Sequence, residues 1–259
     1  MSRPADWKNY EDFAAGIDTN RLPTTDALAG STFGLTLGTE RLSLEFLRGD
    51  LLRWSSSTGQ GEDWYEAILV APATYFIDIT FQARPREALT AFVNTTSRRA
   101  MSVRSIAREQ AADGRPLVEQ IFAVGVLGDP SRPAAGHEPG PTRDLIGLRA
   151  FHRYSPRHLY EHTYLSSERY CWQCLVGEQR GHGDVDLATT YKFDEHQYVF
   201  TFREFKIPVA SVFFFNYRDL RSTGKFLGLT KAGAVQNNKA GSLIRLASRT
   251  LYDPDAEPV

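Results

Sequence analysis

The chain is poor in the residues that mark several functional classes. Only two cysteines occur in 259 residues, Cys171 and Cys174 of the segment RYCWQCLVG. Their C-x-x-C spacing would suit a redox pair opening a helix. Tyr-Cys-Trp-Gln-Cys-Leu-Val is instead aromatic and β-branched with a glycine after it, which predicts a strand. Residues three apart in a strand lie roughly 10 Å apart on opposite faces, too far for a disulfide, whose Cα atoms sit about 5.5 Å apart. One such pair cannot form a structural zinc site either. No stretch approaches the ~18 apolar residues of a membrane span, and the opening MSRPADWKNYEDF mixes charges without the apolar segment of a secretory leader. The expectation is a cytoplasmic protein with no membrane partner. A dominant charge is missing too: 30 Lys and Arg against 31 Asp and Glu leave a net charge of -1. That gives no electrostatic case for nucleic acid, and Arg98, Arg99 and Arg104 read as a solvated face. No G-x-x-x-x-G-K phosphate loop occurs, and no cysteine nucleophile with a histidine partner.

Hydrophobic residues, at 42% of the chain, suffice for ordinary cores. They fall into short alternating runs separated by turns carrying Gly, Asp, Ser or Pro: TFGLTL, RLSLEF, LLRW, EAILV, TYFIDITF, LTAFVN, AMSVRSI and EQIFAVGVL. Such spacing predicts an antiparallel meander that closes into a barrel. The chain also carries its own second copy. Leu28, Gly30 and Leu37 align with Leu145, Gly147 and Tyr154 at an offset of 117, and Leu42, Phe46 and Trp54 align with Tyr160, Tyr164 and Trp172 at 118. Asp63 and Tyr75 align with Asp186 and Tyr198 at 123. The predicted fold is all-β, with two tandem antiparallel barrels produced by internal duplication: a packed structural barrel over residues 1–127, a Pro- and Gly-rich linker over 128–143, and a ligand-holding barrel over 144–259. Residues 5 to 16 form a candidate short amphipathic helix plugging one barrel end.

The two copies differ in chemistry at matched positions. On the face read as inner, Leu35, Leu37, Leu42, Leu44 and Phe46 of the first copy become His152, Tyr154, Tyr160, His162 and Tyr164 in the second. Leu52 and Trp54 become Tyr170 and Trp172, Ile68 becomes Tyr191, and Ile77, Ile79 and Phe81 become Phe200, Phe202 and Glu204. A small closed barrel is either packed solid or holds one small ligand. Rings with hydroxyl and imidazole tips favour the second outcome for the second copy. In the run QYVFTFREF, Glu204 shares a strand face with Tyr198, Phe200 and Phe202, so a carboxylate is directed into an aromatic interior. A reach to solvent or a pairing with Arg203 or Lys206 is the alternative at that strand end. The candidate catalytic groups are Glu204, His152, His162 and Tyr154; the candidate ligand contacts are Tyr160, Tyr164, Tyr170, Trp172, Tyr191, Phe200 and Phe202. A metal site would need His152, His162 and Glu204 together, and no metal is expected.

The segments EHTYLSSERYCWQCL, TTYKF, QYVFTFRE, IPVASVFF and RSTGKFLG, with DALAGSTFGLTL and DWYEAILVAPATYFIDI in the first half, resemble the MoaF family, labelled after molybdenum cofactor biosynthesis. The resemblance covers nearly the whole chain and implies two calycin, or lipocalin-like, barrels. Ala188, where the family pattern has Cys, and NYRDL ahead of TGK depart from it. A more distant similarity links the second half to phenolic acid decarboxylases, single calycin barrels that work without a cofactor. LRAFHRY resembles the strand bearing their tyrosine pair, with His152 and Tyr154 at those positions, and FTFRE sets Glu204 at their catalytic glutamate. These resemblances imply a cofactor-free pocket for a small hydrophobic or aromatic molecule.

A carboxyl group among aromatic walls has its pKa raised by desolvation, which suits general acid–base work near neutral pH, with His152 or His162 as its complement. The expected activity is a cyclisation, isomerisation, hydration or decarboxylation of an aromatic or conjugated molecule without a cofactor. The alternatives are a non-catalytic carrier or sensor, or an accessory protein in a cofactor or amine pathway; self-association is left open.

Overall fold

The alternating runs fold as strands because each can turn one face to an interior while its Gly, Asp and Pro turns reverse the chain. The computed structural model describes residues 6–259. Its first half contains β1 (Thr32–Leu37), β2 (Glu40–Arg48), β3 (Leu51–Ser56), β4 (Gly59–Ala71), β5 (Thr74–Thr80), β6 (Glu87–Asn94), β7 (Arg99–Ala107) and β8 (Val118–Leu127). Each pairs antiparallel with the next, and β1 pairs with β8 to close a barrel. The second half contains β10 (Leu148–Ser155), β11 (His158–Tyr164), β12 (Arg169–Val176), β13 (Gly183–Asp194), β14 (Gln197–Arg203), β15 (Val209–Asn216), β16 (Arg221–Leu229) and β17 (Val235–Arg249). It closes in the same way through β10 and β17. The two-residue strand β9 (Gly140–Pro141), between the barrels, adds to β13.

The duplication is visible in backbone detail. Leu35 pairs with Leu42 as His152 pairs with Tyr160, and Leu44 with Trp54 as His162 with Trp172. Gly30 and Gly147 both have φ +79°, a conformation a β-carbon disfavours, and their amides reach the carbonyls of Phe46 (2.7 Å) and Tyr164 (2.8 Å). The β4–β5 and β13–β14 hairpins both carry an irregularity before the turn, at Leu69/Ala71 and Lys192/Asp194. Both hairpin tips hold a left-handed residue, Ala73 (φ 57°) and His196 (φ 62°). Past the region aligned from sequence, the side chain of Asn94 accepts from the amides of Thr96 and Ser97, and that of Asn216 from Arg218 and Asp219. The same turn chemistry therefore sits at the same hairpin of both barrels.

The barrels are joined through an apolar patch. Outward residues of β4 to β7, including Ile68, Val70, Phe76, Phe92, Met101 and Val103, pack against Phe193, Val199, Val212 and Phe214 of the second barrel. Beside this patch, buried Lys225 pairs with buried Asp78, which also accepts from Asn237 Nδ2 at 2.7 Å. Glu66 holds both Arg21 and Lys239. The one helix among the described residues, α1 (Tyr10–Ala14), does not cap the barrel that follows it in sequence. Trp7, Tyr10, Phe13 and Ile17 belong to the core of the second barrel, where the Tyr10 hydroxyl donates to the Phe226 carbonyl at 2.7 Å. The helix expected over residues 5 to 16 thus plugs the far barrel. No helix among the described residues is long and apolar enough to cross a membrane.

Candidate functional site

The two interiors keep one polar device in common. In the first barrel Asp63 accepts from the Trp54 indole at 2.7 Å and from the Gln82 amide at 2.8 Å. In the second, Asp186 accepts from the Trp172 indole at 2.9 Å and from the Phe205 amide at 3.2 Å. Each aspartate fixes an inward tryptophan and the end of a neighbouring strand. Next to this device the copies part. Phe81 packs edge-on to Trp54 with ring centres 5.2 Å apart, whereas its counterpart beside Trp172 is Glu204.

Glu204 follows the last residue of β14, with its amide bonded to the Val209 carbonyl at 3.0 Å. Its side chain is turned inward and buried, 6% exposed, and has no hydrogen-bond or ion-pair partner among the described residues. A solvent-facing or Arg203-paired carboxylate is therefore not what the fold builds. Burial pushes the Glu204 pKa well above the ordinary carboxyl value, and the negative charges of Asp186 and Asp184 push the same way, opposed by Lys206. The group is neutral, and a donor, well above the pH at which a solvated glutamate ionises. Asp186 is raised as well, to about 6, chiefly by burial, although its two donors pull it down.

Glu204 borders a cavity of about 30 Å³ with Tyr154, Tyr160, His162, Tyr170, Trp172 and Phe202. Gln179, from the β12–β13 connection, and Phe13, Ile17 and Phe226 complete its wall. That volume holds on the order of one water molecule. Two residues of the wall carry a buried, unbonded polar atom, His162 Nδ1 and Gln179 Nε2, while Gln179 Oε1 accepts from the Tyr160 hydroxyl at 2.8 Å. Burial and the adjacent His152 hold the His162 pKa well below its ordinary value, so the ring is neutral.

The other candidates lie at graded distances from this cavity. His152 is fully buried one layer behind it, stacked on His162 with ring centres 4.1 Å apart. Its Nδ1 pairs with Ser242 Oγ at 3.1 Å and its Nε2 with the Tyr164 hydroxyl at 3.4 Å, and burial lowers its pKa to about 3. Tyr164 and Phe200 fill the core around it. Tyr191 is a correction. It lies on the outer face of β13, opposite Val199, and stacks on Phe122 of the first barrel at 5.3 Å. Its counterpart Ile68 faces the same inter-barrel patch. Strands buried on both faces lose the polar alternation that reports orientation, so the sequence pattern does not distinguish the outer face of Tyr191 from an inner one. Asp186, Gln179 and the plug residues Phe13 and Ile17 were not among the sequence candidates. The aligned Trp and Asp of both copies, nine residues apart in the first and fourteen in the second, are the signal that could have found Asp186; Gln179 sits in the insertion that lengthens the second spacing and has no such signal.

Comparison with known proteins bears on the whole chain. Residues 5–109 match the profile of the MoaF N-terminal domain and residues 139–250 that of the MoaF C-terminal domain. The chain belongs to the MoaF family. It is 32% identical over 244 residues to Protein MoaF of Klebsiella aerogenes, covering 90% of this chain and 91% of that protein. The descriptions of these MoaF relatives name no substrate. Ala188, where a cysteine was expected from the MoaF pattern, packs inside the second barrel opposite Phe202.

Proposed function

We propose that the second barrel binds a small aromatic or conjugated molecule against Glu204 and transforms it by general acid–base catalysis without a cofactor. The observation that carries this reading is the unpartnered, inward carboxyl of Glu204 in an aromatic cavity, at the position where the duplicate barrel has Phe81. A buried polar group without a partner costs a few kcal/mol, and packing alone would be served by the phenylalanine. Raised above the ordinary carboxyl range, Glu204 can donate a proton to a bound alkene, carbonyl or phenolate and recover it later. Tyr160 and Tyr170, both held neutral by burial, orient the polar end of the ligand. His162 presents an unbonded ring nitrogen as the nearest complementary acceptor.

The ligand is larger than one water, so it takes the place of the plug. Phe13 and Ile17 withdraw while the strands keep their register. The plug is suited to this because α1 is only five residues long and is held by side-chain contacts. These include the Tyr10 hydroxyl, Glu11 accepting from the Lys231 amide at 3.0 Å, and Trp7 stacked on His182 at 5.0 Å; past the helix, the bond from the Gly241 amide to the Ile17 carbonyl, 3.3 Å, opens as Ile17 withdraws. The test is Glu204→Gln assayed on phenols and aryl-propenoic acids that bind in native mass spectrometry. The amide keeps shape and polarity but cannot titrate, so turnover falls by about 10² or more while affinity changes little. Turnover that survives the substitution rules out the acid–base role. Binding without turnover in either protein favours a carrier.

A further inference from the structure

The outer face of β14 carries a second feature. Arg203 precedes Glu204 in sequence and points the other way, into a cleft of about 830 Å³ between the barrels. One wall is formed by β8 and the loop before it, with Arg115 and Gln120; the other by the β11–β12 turn and β13, with Glu168 and Thr189. The Arg203 guanidinium is held by neutral oxygens only: Thr189 Oγ1 at 3.0 Å, Gln120 Oε1 at 3.2 Å and Thr201 Oγ1 at 3.4 Å. No carboxylate lies within ion-pair reach of it among the described residues. Elsewhere the chain matches its more deeply buried cations to carboxylates, Lys225 with Asp78 and Arg21 with Glu66, whereas Arg203 is half-buried at the cleft.

Two further arginines add to the positive field. Arg115 is exposed at the cleft, and Arg169 lies on the adjoining strand edge with its guanidinium over Phe205. Burial first, then the charges of Arg115 and Arg169, lower the Arg203 pKa to about 10. Of the carboxylates lining the cleft, Glu119 is engaged by Arg108, which leaves Glu168 alone to oppose the arginines. A guanidinium uses five donors in a fixed fork, and neutral acceptors orient this fork without neutralising it.

We propose that the inter-barrel cleft is a binding site for a small oxyanion, a carboxylate or phosphate group, seated on the fork of Arg203 with Arg115 as second cation. Planar, bidentate recognition is what an oriented guanidinium does best, and the anion supplies the countercharge that the fold omits. The cleft lies outside the second barrel, so this site is separate from the Glu204 cavity and does not depend on its function.

The test uses the full chain in chloride, phosphate or acetate at equal ionic strength, followed by thermal unfolding and titration calorimetry. One of the two oxyanions should raise Tm saturably over chloride, by about 2 to 4 °C, and phosphate against acetate identifies the preferred head group. In Arg203→Gln the shift should vanish, while Tm in chloride should equal or exceed that of the native chain because an uncompensated charge has been removed. Arg115→Gln changes an exposed side chain and should leave Tm in chloride unchanged, weakening anion binding about fivefold or more. Arg53→Gln, on the outer surface of the first barrel, should leave anion binding as it is. The proposal is overturned if neither anion gives a saturable shift, or if Arg203→Gln keeps the shift. If Arg203→Gln does not fold, Arg115→Gln decides, and unaltered affinity there overturns it.

Discussion

The two barrels share strand order, register, turn chemistry and the tryptophan–aspartate pair, and differ in what surrounds that pair. In the first, Leu35, Leu37, Leu42, Leu44, Phe46, Leu52 and Phe81 fill the interior with groups that have no polar demand. In the second, the same positions bring two histidines, a ring of tyrosines and Glu204. The shared parts are what closing the barrel requires. The unshared parts raise polar demands that folding alone does not explain, and function is best sought there.

Exchanging the contrasting residues should produce the largest effect. Phe81→Glu places a carboxyl among leucines and beside Asp63, with the Arg84 guanidinium, 4.1 Å from the Phe81 ring centre, offsetting part of the cost, and should destabilise the chain by about 3 kcal/mol, read as a lower midpoint in denaturant. Glu204→Phe runs the exchange in reverse and should cost little or stabilise near pH 8. Equal losses from both would break the comparison.

Filling and emptying the plug should come next. Ile17→Ala enlarges the one cavity of the second barrel that Glu204 borders, and should cost about 2 to 4 kcal/mol of stability while strengthening binding of a small phenol. No equivalent plug residue exists in the cluster filling the first barrel, which is formed by Leu28 and residues of its own strands.

The pH dependence sharpens the contrast further. Because the folded pKa of Glu204 is raised, its contribution to stability is complete below the ordinary carboxyl pKa, about 4.5, and is lost as pH rises through the folded value. Glu204→Gln removes this loss, so the variant should gain on the native chain as pH rises above the ordinary carboxyl pKa. His152 acts in the opposite direction. Its pKa is lowered from 6.5 to about 3, so the stability it contributes is complete above 6.5 and is lost on acidification toward 3. A Glu204→Gln curve parallel to that of the native chain would place the carboxyl in water.

The smallest effect concerns the cysteines. Both are free, on β12, with Cys174 buried. Alkylation in denaturant without reductant should label both, and mass spectrometry counts the adducts.

Much of this architecture is legible in sequence because each strand of the duplicate checks the other. Leu35 against His152 and Phe81 against Glu204 identify matched positions, and two independent patterns must agree on the face. Tyr191 escaped that check, since Ile68 is apolar on an outer face that another barrel covers. The plug was legible as an amphipathic segment, yet nothing in residues 5 to 16 states which barrel receives it. Contacts formed across more than 200 residues leave no local periodicity to read. The unpaired Arg203 is invisible for a related reason: sequence shows the charge, while its lack of a countercharge is a property of the surrounding space.

The plug also bears on the order in which the protein is made. Tyr10 bonds to Phe226 across 216 residues, so a segment made before the first barrel completes the interior of the second. The first barrel can close while that segment is still unplaced, and the second cannot be sealed until β16 and β17 have been made. A nascent chain therefore carries Trp7, Tyr10, Phe13 and Ile17 as an uncovered apolar stripe until the second barrel forms. Cutting the gene near codon 140 would give one barrel with a surplus sticky arm and another without its stopper, although the strand diagram suggests two separable halves.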